Sequence, residues 1–448
     1  MKGVMVLSVF ILWLIWIYHE DNKERSSVSH AIWIVVLWAI VFGSRPVTEW
    51  FSTPSQNSNL SSADEGNVSE AIISLSLILA GSFVLLQRRI RCSSVIRDNG
   101  WLFVFYLFWL ISVLWSDFPV ITFKRLFKDF GTVIMVLVVL TEVNKREALK
   151  AVCRRLVYLC VPLSIILIRY FPDLGRAYVG YSRNEAMLVG VAMHKNTLGV
   201  LAMVGAVFLL WEMLDSNDSK RKAMNRILTL WRVLVLAMCW HILVIANSVT
   251  SLICAVLGSI LILTFRIPQI SKHPGYLETI GISIAAIFVV LDSVDSVVNV
   301  KGAVLDIFGR DETLTTRTDI WPILTTLQDR PLIGSGFNSF WTGERLVLSS
   351  ERLGGIVQAH NGYIETYLNG GIIGVVLLIC VLLSAYWHVR KQIALGDSLA
   401  VIQFVVLLIT IVYNYSEAAF NKVGVVWLLT VLSVMNIRIQ RLPRKSII

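Results

Sequence analysis

The sequence predicts an all-α, polytopic membrane protein with about 13 transmembrane helices and a long outward-facing loop at residues 292–361. Three observations carry this expectation. Apolar residues make up 56% of the 448-residue chain and charged residues 16%, with a mean hydropathy of +0.70, whereas a soluble domain carries roughly 25% charged residues. Apolar runs of about 17 to 25 residues, enough for a helix to cross a bilayer, recur along the chain. Lys and Arg gather in short clusters between them, as they do in cytoplasmic loops, so the formal charge of +10 does not point to nucleic acid. The 15 Trp and 12 Tyr fit many membrane interfaces, where an apolar ring with a polar tip is favoured.

The first run, 3–18, is short and starts with one Lys, as in a signal peptide. His19, Glu20 and Asp21 follow it in place of a small-residue cleavage site, so it reads as a helix. The second run, 31–49, leads into a Ser/Asn-rich stretch, 52–69, that reads as a flexible loop. Run 71–87 ends at Arg88, Arg89, Arg91 and Arg97; 101–116 and 121–142 follow and end at Lys145, Arg146 and Lys150. Runs 152–171 and 196–214 come next, and Lys220, Arg221, Lys222 and Arg226 separate the latter from 232–247, 249–266 and 276–291. After the long loop come 362–387, 399–416 and 422–437, closed by Arg438, Arg441, Arg444 and Lys445. All four basic clusters fall on one side of this count, which places them in the cytoplasm. The stretch 51–69 has Asp64 and Glu65 but no Lys or Arg, which places it outside. The N-terminus is then outside and the C-terminus inside.

No segment outside the runs is large enough for a nucleotide-binding domain, and neither GxxxxGK[ST] nor GxGxxG occurs. An ATP-driven pump and a transferase with a soluble nucleotide-sugar domain are disfavoured. The six cysteines lie in helices or on the cytoplasmic side without CxxC spacing, and no DxD or His/Glu cluster suggests a metal. No cofactor is expected. A transporter would carry ionisable residues near the bilayer centre; the helix interiors look nearly free of them, with His241 the main exception.

Two histidines fall on the outer face, His194 in HKN and His360 in HN. An outward histidine can accept a proton from an attacking hydroxyl near neutral pH, or it can be a water-capped interfacial residue. His360 heads the run HNGYIETYLNGGIIG, in which helical spacing brings Gly371 and Gly374 back to its face, together with Tyr363 and Tyr367. Glycines there would admit a neighbouring helix. Glu365 is the next candidate base.

A basic set stands on the same side, against the positive-inside bias: Arg176, Arg183 and Lys195 in 172–195, and Arg317 among others in the long loop. Arg310 beside Asp311 and Arg330 beside Asp329 look like simple ion pairs. Arg317 stands in TTRTDIWPILTTL, where an apolar stripe predicts a helix, and Pro322 places its start near Thr318 or Asp319. A guanidinium at such an N-terminus suits phosphate oxygens, or it is a solvated residue on an amphipathic helix.

The spacing His360, Asn361, nine residues, Gly371, two residues, Gly374 matches H-[NSQ]-x(9)-G-x-x-G without a gap, and TRTDIW precedes PLIGSGFNSFW. On these motifs the chain resembles the O-antigen ligase and polymerase superfamily of bacterial membrane glycosyltransferases. Clear similarity runs from about residue 190 to 385. Through SRPVTEW, WSDFP and VAMHKNTLG it is most similar to exopolysaccharide polymerases of the succinoglycan type. The resemblance implies N-terminal transmembrane helices at 1–190, a catalytic region at 191–387 and C-terminal transmembrane helices at 388–448.

It implies a polymerase that joins undecaprenyl-pyrophosphate-linked repeat units on the outer face of the inner membrane. His360 would be the catalytic base, Arg317, Arg183 and Lys195 would hold the donor pyrophosphate, and His194, Asn361, Glu365, Gly371 and Gly374 would support them. The reaction would invert the anomeric carbon without a metal. The expected partners are the lipid-linked oligosaccharide, membrane lipid, a flippase and a chain-length regulator. A ligase moving the finished glycan to lipid A core or protein, and a transporter, remain as alternatives.

Overall fold

A computed structural model describes residues 2–24, 28–50, 68–90, 92–178, 186–215, 226–267, 315–352 and 356–437, with single positions between 270 and 283. The expected all-α membrane architecture is present. Every predicted run except 276–291, which lies almost wholly outside the described residues, is a helix. Seven of these helices are long and apolar enough to cross a membrane, and Ile32–Gly43, Gly100–Leu114, Val249–Thr264 and Val425–Val434 are shorter apolar helices. Pro119–Leu140 also forms, although Lys124, Arg125, Lys128 and Asp129 interrupt its apolar composition. Among the described residues the only strands form a short hairpin, Arg176–Tyr178 paired antiparallel with Ala186–Leu188.

The chain falls into two compact units, one of residues 1–103, 127–262 and 421–448 and the other of 104–126 and 263–420. In the first unit Lys145–Tyr170 is the central helix, buried along most of its length. The Asn144 side chain starts it by accepting from the Glu147 N–H at 3.2 Å. Small residues set the close approaches around it. A Cβ at Gly205 would lie 2.6 Å from Cys239 Sγ, and one at Gly199 would lie 2.7 Å from Ser251 Oγ.

Charges are also buried here, contrary to the charge-poor helix interiors that the sequence suggests. Arg154 bonds Glu212 and Asp21, Arg155 Nε lies 3.4 Å from Asp21, and Arg232 Nε lies 4.0 Å from Glu212. Asp215 is held by Lys150 at 2.9 Å and by Arg146. Burial alone would raise the Asp215 carboxyl, yet hydrogen bonds from Arg146 and Lys150 hold it below the ordinary carboxylate range. The hydropathy of one run cannot show these pairs because each partner comes from another helix. Opposite charges that meet in this way need no water, so a run can carry an arginine and still be buried.

In the second unit Gly362–Ala394 is the longest helix, and it is kinked: Gly371 has φ +60° and ψ −163°. The kink frees backbone groups, and the turn 331–336 takes them up. Ile372 and Ile373 N–H donate to Pro331 and Leu332 carbonyls at 2.9 and 3.1 Å, while Ser335 and Gly336 N–H donate to Leu368 and Asn369 carbonyls at 3.2 and 2.9 Å. Non-helical backbone at this depth is satisfied by protein, as it must be. A Cβ on Gly371 would sit 2.3 Å from the Leu332 carbonyl carbon, and one on Gly334 equally close to that of Asn369. The expectation that Gly371 admits a neighbouring helix is thereby corrected, since it admits the backbone of a turn. The kink also ends the regular 100° count, so Gly374 is placed by Phe108 and Trp109 and not by a stripe continuous from His360.

Candidate functional site

His360 precedes the kinked helix. Asn361 caps that helix, its side-chain oxygen accepting from the N–H groups of Tyr363 and Ile364 at 2.9 and 3.1 Å. His360 itself has φ +50°, a conformation unusual for a residue with a side chain. Gly362 follows because only glycine fits: a Cβ would meet Asn414 Oδ1 at 2.1 Å. Its N–H donates to the Glu417 carbonyl at 3.0 Å, tying the histidine loop to the turn after Ser398–Ser416. Asn414 shapes that turn by accepting from Ala419 and Phe420 N–H at 2.8 and 2.9 Å.

The result faces His360 with a carboxylate. Nδ1 lies 3.7 Å from Glu417 Oε2 and 3.3 Å from Gln358 Nε2, with the imidazole 23% exposed. At 3.7 Å the carboxylate is beyond hydrogen-bond length for the neutral ring; the Nδ1–H tautomer, with the Gln358 amide turned to present its oxygen to that N–H, leaves Nε2 as the proton acceptor. A proton taken by the ring creates a cation directly opposite Glu417, whose charge then stabilises it. The arrangement can accept a proton from a hydroxyl at Nε2 and hold the resulting imidazolium.

Thr315–Thr326 is the helix that the sequence predicts around Arg317. It starts earlier than Thr318 or Asp319, because Pro322 sits inside it and costs it one intrahelical bond without ending it. Arg317 is therefore in the first turn; its backbone is described and its side chain lies outside the described atoms. One turn further on, Trp321 Nε1 donates to the Ala359 carbonyl at 2.9 Å, next to His360. Ile320, Leu324, Phe340, Trp341, Ala359 and Leu368 form the buried core that packs this helix on the histidine loop. The helix of Arg317 and the loop of His360 are thus parts of one packed body.

Arg330 and Arg345 have structural duties. Arg330 Nη2 bonds Asp117 at 3.0 Å and Arg345 bonds Asp117 and Asp329 at 3.0 and 3.1 Å. Asp329 therefore pairs with Arg345, and the sequence neighbour Arg330 pairs with the WSDFP segment instead. Glu365 is buried, accepting from Trp341 Nε1 at 2.8 Å and from the Ala359 N–H at 2.9 Å.

His194 caps Lys195–Leu214, its Nδ1 accepting from Asn196 N–H at 3.3 Å. It is exposed, and with Lys195 it belongs to the first compact unit, whereas Arg317, His360, Asn361, Glu365, Gly371 and Gly374 belong to the second. Arg183 lies outside the described residues. Sequence reasoning missed Glu417, Trp321 and Trp341 as parts of the site. The capping pattern H-N-G could be read, but which carboxylate or indole would reach it could not.

Residues 233–379 match the family model described as O-antigen ligase, a range that contains Arg317, His360, Gly371 and Gly374. The chain is also 25% identical over 318 residues to the exopolysaccharide production protein ExoQ of Rhizobium meliloti (strain 1021), across 66% of each chain, just under two thirds of that relative's length. The superfamily resemblance is borne out by both matches.

Proposed function

Starting from a membrane chain that carries an O-antigen ligase region, we propose that it is a polymerase acting on lipid-pyrophosphate-linked oligosaccharide repeat units at the outer face of a bacterial inner membrane. The observation that supports this best is the His360–Glu417 pair on a loop fixed to the helix of Arg317. A hydroxyl of the acceptor sugar attacks the anomeric carbon of the donor with inversion, the C–O bond to the lipid pyrophosphate breaks, and the hydroxyl proton passes to His360. Glu417 compensates the imidazolium. Arg317 holds the departing pyrophosphate. Residues 191–387 form the catalytic region in this reading, and a flippase and a chain-length regulator are the partners that such a polymerase would work beside.

Deletion of the chain in its host, followed by analysis of lipid-linked material, tests the assignment. Single repeat units left on the lipid are expected. The ligase reading is favoured by the description of the matching family, and accumulation of long unattached chains would establish it in place of polymerisation. A transporter finds no support in the buried charges of the first unit, where each acid named above is opposed by a base.

The outward orientation has its own test. In this reading Val347, 56% exposed on Glu344–Arg352, lies outside, and Leu395, 72% exposed, lies in the cytoplasm. In spheroplasts of a Cys92→Ser background, an impermeant thiol reagent should label Val347→Cys at once and Leu395→Cys only after lysis. The reverse pattern would put the site on the cytoplasmic side and end the proposal.

A further inference from the structure

Ala359 is held at both of its backbone polar atoms, in two successive peptide groups, by side chains from different elements. Glu365 Oε2 accepts from its N–H at 2.9 Å, and Trp321 Nε1 donates to its carbonyl at 2.9 Å. The other oxygen of Glu365 accepts from Trp341 Nε1 at 2.8 Å. This carboxylate is 3% exposed, in a core otherwise built from Ile320, Leu324, Phe340 and Leu368. Burying an acid in such surroundings is unfavourable unless hydrogen bonds compensate it, and an apolar side chain would fill the space at less cost. The next residue after the clamped peptide is His360, with φ +50°, a conformation that a residue bearing a side chain keeps only where its surroundings impose it.

We propose that Glu365 and Trp321 are positioning residues for His360. Trp321 fixes the 359–360 peptide plane through its carbonyl and Glu365 fixes the preceding 358–359 plane through its N–H, and together they hold the histidine backbone in its left-handed conformation and so keep the imidazole against Glu417. Trp321 lies one turn beyond Arg317, so the same clamp fixes the distance between the helix proposed to hold the donor and the group proposed to take the proton. The clamp rests on the reading of His360 as the base, and it assigns Glu365 a role through the backbone and not as an alternative base.

Trp321→Phe keeps the ring and removes only the N–H donor; Glu365→Gln turns an N–H₂ group toward one of two donors that the carboxylate had satisfied. In purified full-length enzyme with synthetic lipid-linked repeat units, each should lower kcat by about 10- to 100-fold, because small misplacements of a reacting group have costs of this size. The KM for the donor should stay within about twofold. In a His360→Ala background each substitution should change the residual rate by less than about twofold, since a residue that acts only through His360 has nothing left to position. Hydrogen exchange of the 356–361 backbone should also be faster in Trp321→Phe, whose mild change keeps this readout usable if the Gln variant fails to fold. Unchanged exchange, a rise in KM at constant kcat, or an equal loss with and without His360 would each overturn the clamp. A wild-type rate in His360→Ala alone would overturn the base while the exchange measurement still judges the clamp.

Discussion

His360→Ala should slow chain extension by about 10²- to 10⁴-fold, the usual loss when a general base is removed, while donor binding persists. The geometry supports both halves of this expectation. The imidazole is partly exposed on a capped loop and its Nδ1 faces Gln358 and Glu417, which leaves Nε2 for the substrate hydroxyl. Asn361, and not His360, supplies the helix cap, so the substitution removes no bond that starts Gly362–Ala394. His194→Ala should be milder, because His194 caps a helix in the other compact unit. Turnover of synthetic lipid-linked repeats by purified variants measures both. A His360→Ala enzyme that polymerises at the wild-type rate would remove the histidine from the mechanism.

Arg317→Ala should cost on the order of 2 to 5 kcal/mol in kcat/KM, largely because a desolvated phosphate is left without its partner. Lys should rescue poorly, since a point charge cannot reproduce the bidentate fork of a guanidinium. Steady-state rates for Arg317→Ala and Arg317→Lys against donor concentration decide the matter, and normal kcat/KM in the alanine variant would sink the assignment.

The helices were legible in the sequence because membrane crossing demands long apolar runs, and the capping histidine segment was legible because H-N-G carries its own local chemistry. The helix of Arg317 could be placed from its apolar stripe, though Pro322 misled its start by being tolerated inside. Three things could not be read. Glu417 reaches His360 only because Gly362 lets two helix ends meet, which is a long-range packing event. The kink at Gly371 is stabilised by a turn from residues 331–336, so a spacing counted along one ideal helix could not reveal it. The partners of Arg154 and Glu212 lie in separate runs, and a hydropathy profile averages each charge away without showing what neutralises it.

Those buried pairs bear on how the protein is made. Arg154 and Arg155, Glu212, and Arg232 sit in three different helices, which leave the translocation machinery one after another. A lone arginine costs about 2.5 to 3.5 kcal/mol at the centre of a membrane helix on the insertion scale, and less toward the helix ends, where its side chain can reach the interface. Lys2–Glu24 and Lys145–Tyr170 can associate first through Asp21 with Arg154 and Arg155, and Lys195–Leu214 can then bring Glu212 to the same arginine. The order in which charges are neutralised thus follows the order of synthesis, from the N-terminus onward. Biogenesis of the first unit becomes a sequence of matched arrivals, in which Glu212→Ala would remove the carboxylate that Arg154 and Arg232 both face.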